Sequence, residues 1–126
     1  MEITRAYVKS ILPHRDPEGH KGTFGKVYCL CGAVGYTGAP VLAASAAVRS
    51  GSGLVFLGVP KDIWPIVAVK CDSAMPSPLP SQQGKLALAA EDAVRAQIDG
   101  CDAVLIGCGM GRSEESDALT RRLIDM

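Results

Sequence analysis

The run Leu54-Val-Phe-Leu-Gly-Val59 constrains the fold most, because its successive residues are apolar with no polar alternation. A strand with one wet face alternates with period two. A strand apolar on both faces must be covered on both, as in a parallel sheet flanked by helices. Shorter runs, Lys26-Val-Tyr-Cys-Leu-Cys31 and Ala103-Val-Leu-Ile106, lie before and after it. Between them the pattern turns helical. Pro40 opens an alanine-rich stretch to Ser50 with Gly51 just beyond, the proline-first, glycine-last asymmetry of a helix. Asp62 is placed to cap a short helix through Lys70, with Pro65 in its first turn. Leu86, Ala90, Val94 and Ile98 recur every four residues and predict a helix from Lys85 to Ile98. Ser113 is placed to cap a last helix, with Glu114 and Glu115 in its first turn and Arg121 and Arg122 near its end. Pro76, Pro78 and Pro80 make any strand there short and at an edge. The lead-in through Lys21 holds one short helix and then Pro13, Pro17 and Gly19. This alternation predicts βαβ units in an α/β, parallel-sheet fold, with the three apolar runs among its central strands.

At 126 residues the chain matches one domain of the usual size, and no linker, repeat or low-complexity block divides it. Thirteen basic residues balance thirteen acidic ones, which gives no support for nucleic acid or an anionic membrane as partner. Aromatics at 5% argue against a base-stacking surface. No apolar run approaches the roughly 18 residues of a membrane span and no signal peptide is visible, so a cytoplasmic location is expected. Cys29, Cys31, Cys71, Cys101 and Cys108 are odd in number and irregularly spaced, which favours reduced thiols over a disulfide framework. Zinc is disfavoured, because Cys29 lies inside an apolar run and Cys101 just before another, whereas structural zinc favours C-x₂₋₄-C pairs on turns.

Two glycine-rich loops each follow a strand run and precede a helix: Cys31-Gly-Ala-Val-Gly-Tyr-Thr-Gly-Ala-Pro40 and Gly107-Cys-Gly-Met-Gly111. Glycine lets a backbone approach a ligand closely, and the helix behind offers unpaired N–H groups. In open parallel sheets ligands gather outside the carboxyl ends of the strands, where such loops lie, so both are expected on one edge, lining one cleft. A single loop of this kind is as readily a plain tight turn. Gly32, Gly35 and Gly38 read G-x-x-G-x-x-G, and Gly107, Gly109 and Gly111 read G-x-G-x-G; neither is the dinucleotide fingerprint, and no P-loop motif exists. Spacing therefore points to a small anionic or nucleotide-like ligand and no further. His14, His20, Asp16 and Glu18 read as solvated lead-in residues, Tyr36 and Trp64 as packing or rim residues. Lys21 has the reach for a phosphate, with a plain surface role equally open. No serine stands in a nucleophile elbow.

Taken together, the motifs resemble a known family. His20-Lys-Gly-Thr-Phe-Gly-Lys-Val27, Gly32, Tyr36-Thr-Gly-Ala-Pro40, Ala46-Ala-Val-Arg-Ser-Gly-Ser-Gly-Leu-Val55 and Asp102-Ala-Val-Leu-Ile-Gly-Cys-Gly-Met-Gly111 are similar, in order and spacing, to the ADP-dependent NAD(P)H-hydrate dehydratases of the ribokinase-like superfamily. Leu12-Pro-His-Arg15 resembles the start of that domain. The resemblance implies a ribokinase-like fold truncated after its first half, with residues 1–126 the N-terminal portion of a single domain and no second domain. It implies metabolite repair, in which ADP (ATP in eukaryotic members) and Mg2+ serve to dehydrate the S epimer of NADHX or NADPHX; the ring hydroxyl is phosphorylated and phosphate then leaves. It also implies a homo-oligomer and a functional partnership with an NAD(P)H-hydrate epimerase. By resemblance Gly38, Ala39 and Gly109 match substrate-binding positions, with Lys21, Gly32, Tyr36, Gly107 and Gly111 as further loop contributors. The catalytic aspartate of a G-x-G-D loop and the ADP-binding segment are expected beyond Met126. The chain alone is therefore expected to be inactive, with no dedicated metal ligand. The family pattern has two glycines and a serine where Cys31, Gly32 and Ala33 stand, proline at Cys108 and serine at Gly19, which puts the hydrogen bonds of those serines in question. The alternatives are a non-catalytic nucleotide-binding or assembly half-domain, and a hydroxyethylthiazole-type vitamin kinase, which the His20-Lys-Gly block disfavours.

Overall fold

A computed structural model describes residues 2–125. At its centre β1 (Lys26–Leu30), β2 (Leu54–Pro60), β3 (Met75–Leu79) and β6 (Ala103–Ile106) form one sheet in the order β3-β2-β1-β6. All three neighbouring pairs are parallel, with Lys26 opposite Leu54, Val27 opposite Ala103 and Phe56 opposite Met75. The continuous apolar runs are explained by cover on both faces. Cys29, Val55, Leu57 and Val59 pack on one side against Ala44 of α2 (Gly38–Arg49) and Val67 of α3 (Trp64–Lys70). Tyr28 and Leu30 pack on the other against Val94 of α4 (Glu91–Ile98) and Leu119 and Leu123 of α5 (Glu114–Ile124). Each fully buried leucine contributes about 1.5–3 kcal/mol relative to exposure.

Local signals set the helix ends. The Ser113 hydroxyl accepts from the Ser116 amide at 3.1 Å, and the Ser116 hydroxyl accepts from the Ser113 amide at 3.1 Å, a reciprocal cap on α5. Ser113→Ala is expected to cost about 1 kcal/mol, read as a lowered thermal midpoint. Asp62 is not the cap of α3: Ile63 occupies that position, and the Asp62 carboxylate instead accepts from the Ser81 hydroxyl. Trp64 ties α3 to the sheet edge, its Nε1 donating to the Pro76 carbonyl at 3.0 Å.

Two larger expectations are corrected. The helix predicted over Lys85–Ile98 begins only at Glu91; before it come a hairpin, β4 (Ser81–Gln82) with β5 (Lys85–Leu86), and a 3-10 turn over Leu88–Ala90. Gln83 and Gly84 both have positive φ, 50° and 73°, as the two-residue hairpin turn requires. Leu86, Ala90 and Val94 are all buried on the same face, so packing preserves the four-residue spacing without one helix making it. Second, β6 is an edge strand rather than a central one, paired only with β1 among the described residues. Its position is fixed at the amino end by Asp102, whose carboxylate accepts from the Lys26 amide at 2.7 Å while its amide donates to the Lys26 carbonyl at 2.9 Å.

Glu91 links α4 to α5. Its carboxylate accepts from Arg122 Nη1 at 2.8 Å and from Arg95 Nη2 at 2.8 Å. These bonds, Arg122 first, hold the Glu91 carboxyl below its ordinary range. A depressed folded pKa means that the contribution is present above the ordinary carboxylate range and is lost as pH falls through the folded value. The thermal midpoint of Glu91→Gln should lie below that of the parent at neutral pH, and the two curves should converge in acid.

α1 (Arg5–Ile11) is capped by Thr4 and buries none of its residues. No helix among the described residues is long and apolar enough to cross a membrane.

Candidate functional site

Sheet order locates the site. From β1 the chain steps to β2 and β3 in one direction, then crosses back to place β6 on the other side of β1. The order thus reverses between β1 and β6, and in open α/β sheets the ligand crevice lies outside the carboxyl ends of the strands at that reversal. Both glycine loops leave from there.

The first loop is held by the sheet. The Cys31 amide donates to the Gly58 carbonyl at 3.1 Å, and the Gly32 amide donates to the Cys108 carbonyl at 2.9 Å. Gly32 has φ +87°, and a Cβ there would fall 2.8 Å from Ile63 Cδ1 and 3.0 Å from Pro40 Cγ. Neither the backbone nor the space admits a side chain. A turn then closes through Tyr36 N to Ala33 O at 2.9 Å and Ala39 N to Tyr36 O at 3.2 Å, and α2 starts at Gly38. Thr37 precedes α2 without a side-chain capping bond, so no side chain competes for the amides of its first turn.

The second loop is locked against the first. Gly107 N donates to the Leu30 carbonyl at 3.1 Å. Gly109 has φ +70°, and a Cβ there would fall 2.6 Å from Ala39 Cβ and 3.1 Å from Tyr36 Cβ. Gly38 and Gly107, by contrast, have nothing within 4 Å of where a Cβ would stand. Tyr36 is 58% exposed beside them. The structure therefore brings Gly32, Tyr36, Gly38, Ala39, Gly107, Gly109 and Gly111 to one end of the sheet, with two loops in contact and open space at two glycines.

Lys21 is not among them. A Cβ on Gly53, at the amino end of β2, would overlap the Lys21 carbonyl, so Lys21 lies at the opposite end of the strands. It precedes β1 rather than following it, and parallel strands put all their amino ends together. His14 and His20 share that end: the His20 Nδ1 accepts from the Gly22 amide at 3.0 Å, and His14 lines a cavity of about 470 Å³ with Arg15, Phe24 and Gly51.

A residue absent from the sequence-level candidates joins the site. The hairpin tip reaches under the first loop, Val34 N donating to the Gly84 carbonyl at 2.8 Å. Lys85 then lies beside the second loop, its Cε 3.1 Å from where a Cβ of Gly111 would stand. The available signal was Gln83-Gly84, a weaker form of the glycine-second turn that marks hairpins. A cavity of about 360 Å³ opens off the second loop, lined by Gly107, Gly111, Arg112, Asp117, Thr120 and Arg121. It is lined by the second loop and α5 rather than by both loops, because Gly109 packs directly on Ala39 and leaves no gap between them.

Neither buried thiol nor phenol at β1 is ready to exchange a proton at neutral pH. Burial, followed by the neighbouring Cys29 and Cys108, pushes the Cys31 thiol well above its ordinary range. Burial does the same to the Tyr28 phenol, with Cys101 adding to it. Among the described residues no three His, Cys, Asp or Glu side chains gather as a metal site. Asp117, the carboxylate lining the cavity, is engaged by Arg112 at 3.4 Å. These residues do not form a magnesium cage. What they offer is close backbone approach, a helix N-terminus and basic side chains around a crevice, a setting for an anionic ligand.

Comparison with known proteins identifies the family. The family model described as NAD(P)H-hydrate dehydratase matches residues 27–125. The chain is 37% identical over 123 residues to the bifunctional NAD(P)H-hydrate repair enzyme Nnr of Moorella thermoacetica, covering 97% of this chain and 23% of that protein. It is 36% identical over 122 residues to the ADP-dependent (S)-NAD(P)H-hydrate dehydratase of Cenarchaeum symbiosum, covering 94% of this chain and 42% of that one. Among solved structures, the ADP/ATP-dependent NAD(P)H-hydrate dehydratase of Bacillus subtilis, co-crystallized with ATP/Mg2+, superposes with a TM-score of 0.73 at 28% identity, over 97% of this chain and 41% of that one. A ribokinase-like superfamily protein of Enterococcus faecalis superposes with a TM-score of 0.77 at 19% identity, a likeness of fold. The chain thus spans less than half the length of each of these proteins.

Proposed function

Because the chain belongs to the NAD(P)H-hydrate dehydratase family, we propose that its two interlocked glycine loops form the substrate side of an ADP-dependent (S)-NAD(P)H-hydrate dehydratase. The role is metabolite repair: NADHX or NADPHX is returned to NADH or NADPH. The observation that carries the reading is the reversal of strand order between β1 and β6, with both loops in contact outside it. Gly38 and Gly107, open to solvent, let the hydrated dinucleotide approach the backbone; Ala39 and Gly109 set the spacing of the loops; Tyr36 forms a wall. Lys85, and Arg112 and Arg121 at the cavity, supply positive charge for a pyrophosphate.

In the proposed reaction the nucleotide donor phosphorylates the ring hydroxyl; phosphate then leaves as a proton is lost from the adjacent ring carbon, and the double bond so formed restores the dihydronicotinamide. The described residues contribute binding and orientation to it, and no carboxylate in the G-x-G-D motif. These 126 residues, one portion of a single domain, are accordingly expected to bind the hydrate without turning it over. We also assign a cytoplasmic setting, a functional link to an NAD(P)H-hydrate epimerase and self-association, the last supported by the exposed Ile3, Ile11 and Leu12 around α1 and the open edge of β6.

Titrating hydrated NADH into the purified chain tests the reading. Saturable binding, with no recovery of reduced-nicotinamide absorbance on adding ADP and Mg2+, is the expected result. Absence of binding would overturn the substrate-side assignment, and turnover would overturn the division of labour.

A further inference from the structure

We propose that the cavity between the hairpin and the start of α5 receives the adenosine ribose of the substrate, and that Glu114, by accepting from the 2′-hydroxyl, makes the chain prefer NADHX to NADPHX. The proposal rests on the assignment of the glycine crevice to the hydrated dinucleotide and names which of its two forms fits.

This cavity, of about 300 Å³, is lined by Gln82, Gln83, Ser113, Glu114 and Glu115. Both of its walls continue from the crevice. Gln83 precedes Gly84, whose carbonyl accepts from the Val34 amide of the first loop at 2.8 Å. Ser113 follows Gly111 of the second loop by two residues, a span of at most about 7 Å. Lys85 stands between the two, on the same hairpin as Gln82 and with its Cε beside Gly111. With the pyrophosphate at Lys85, the next group along a dinucleotide is a ribose, and the cavity lies one such step away. The open space at Gly38 and Gly107 is left for the reacting nicotinamide end, so the adenosine end takes the hairpin side.

The lining suits a sugar and not a phosphate. The carboxamides of Gln82 and Gln83 both donate and accept, as hydroxyl groups require. Two of the other groups are spent within the fold: the Glu115 carboxylate accepts from the Leu88 amide at 2.9 Å, and the Ser113 hydroxyl accepts from the Ser116 amide. The Glu114 carboxylate is exposed and joins no ion pair among the described residues. No lysine or arginine lines this cavity, since Arg112 and Arg121 line the separate one at the second loop. An ionised carboxylate only accepts. A 2′-hydroxyl donates to it in a charge-assisted bond, whereas a 2′-phosphate brings further negative charge and is repelled. Dinucleotide-binding folds draw the same distinction, with an acidic side chain on the 2′-hydroxyl or an arginine at the 2′-phosphate.

The experiment is titration of the 126-residue chain with the S epimers of hydrated NADH and hydrated NADPH. The expected result is roughly tenfold tighter binding of hydrated NADH, the scale of one charge-assisted hydrogen bond at an exposed carboxylate. The gap should narrow as salt screens the repulsion. Glu114→Gln should shrink the preference, chiefly by strengthening the binding of hydrated NADPH, and Glu114→Arg should invert it. ADP-ribose set against its 2′-phosphate should show the same ratio as the hydrates, because neither carries the reacting ring. Thermal melts of both variants accompany the titrations, and the preference is read first on the unsubstituted chain, so misfolding of a variant does not decide the outcome. Equal binding of the two hydrates, or a preference for hydrated NADH that survives Glu114→Arg, would overturn this proposal and leave the crevice assignment standing. Binding of neither hydrate would overturn both.

Discussion

Replacing Gly53 with alanine is expected to destabilise the chain by on the order of 3 kcal/mol, enough to leave a large unfolded fraction in a domain of ordinary stability. The added Cβ would overlap the Lys21 carbonyl, with the Lys21 carbonyl carbon at 2.7 Å and the Gly25 carbonyl oxygen at 3.2 Å. All of these are backbone atoms, so no rotamer change relieves the contact. The same glycine donates its amide toward the Phe24 and Gly25 carbonyls at 3.1 and 3.0 Å, and those bonds seat the lead-in against the start of β1 and β2. Displacing the lead-in loosens the amino end of two central strands at once. Urea unfolding of the variant beside Gly100→Ala checks this. A Cβ at Gly100 would meet only the Gln97 carbonyl at 3.7 Å, and that variant should stay within about 0.5 kcal/mol of the parent.

Gly109→Ala should act on the site more than on the fold. Its φ of +70° disfavours any side chain by about 1–2 kcal/mol. The added methyl would also sit 2.6 Å from Ala39 Cβ, so the second loop must lift away from the start of α2. A shift of about 1 Å in a substrate-positioning contact costs roughly 100-fold. That is the expected loss in affinity for hydrated NADH, and in turnover by any protein in which this portion works. Gly38→Ala is the informative partner, since nothing lies within 4 Å of the new methyl and the position opens α2. It should leave the thermal midpoint nearly unchanged and weaken binding only if substrate occupies the space beside it. Thermal melts and titrations on both variants separate the two cases: a Gly109→Ala protein that binds normally would remove the loop contact from the site.

Much of this was legible in the residues. The unbroken apolar run Leu54–Val59 required cover on both faces, and hence parallel strands between helix layers, because no face of such a strand tolerates water. Ser113 marked the start of α5 because a hydroxyl satisfying a free amide is a local event. The glycines at 32 and 109 were recognisable as turn positions, because positive φ and close backbone approach are local demands. Signals of this sort involve neighbours within a few residues, which the order of the chain already brings together.

What the tertiary structure decided involves distant partners. Leu86, Ala90, Val94 and Ile98 satisfy a helical period, yet the hairpin at Gln83 and Gly84 prevailed over its first turn, because packing under Val34 and capping by the Pro80 carbonyl reward the extended form. The place of β6 beside β1, and with it the reversal of strand order, is a long-range pairing that Asp102 helps to anchor by accepting from the Lys26 amide, 76 residues away. The same arrangement sent Lys21 to the far end of the sheet and brought Lys85 to Gly111. Local sequence determines the period of each segment and where it turns. Which segments become neighbours is decided by burial and hydrogen bonding summed over the whole sheet, and the site consists of those neighbours.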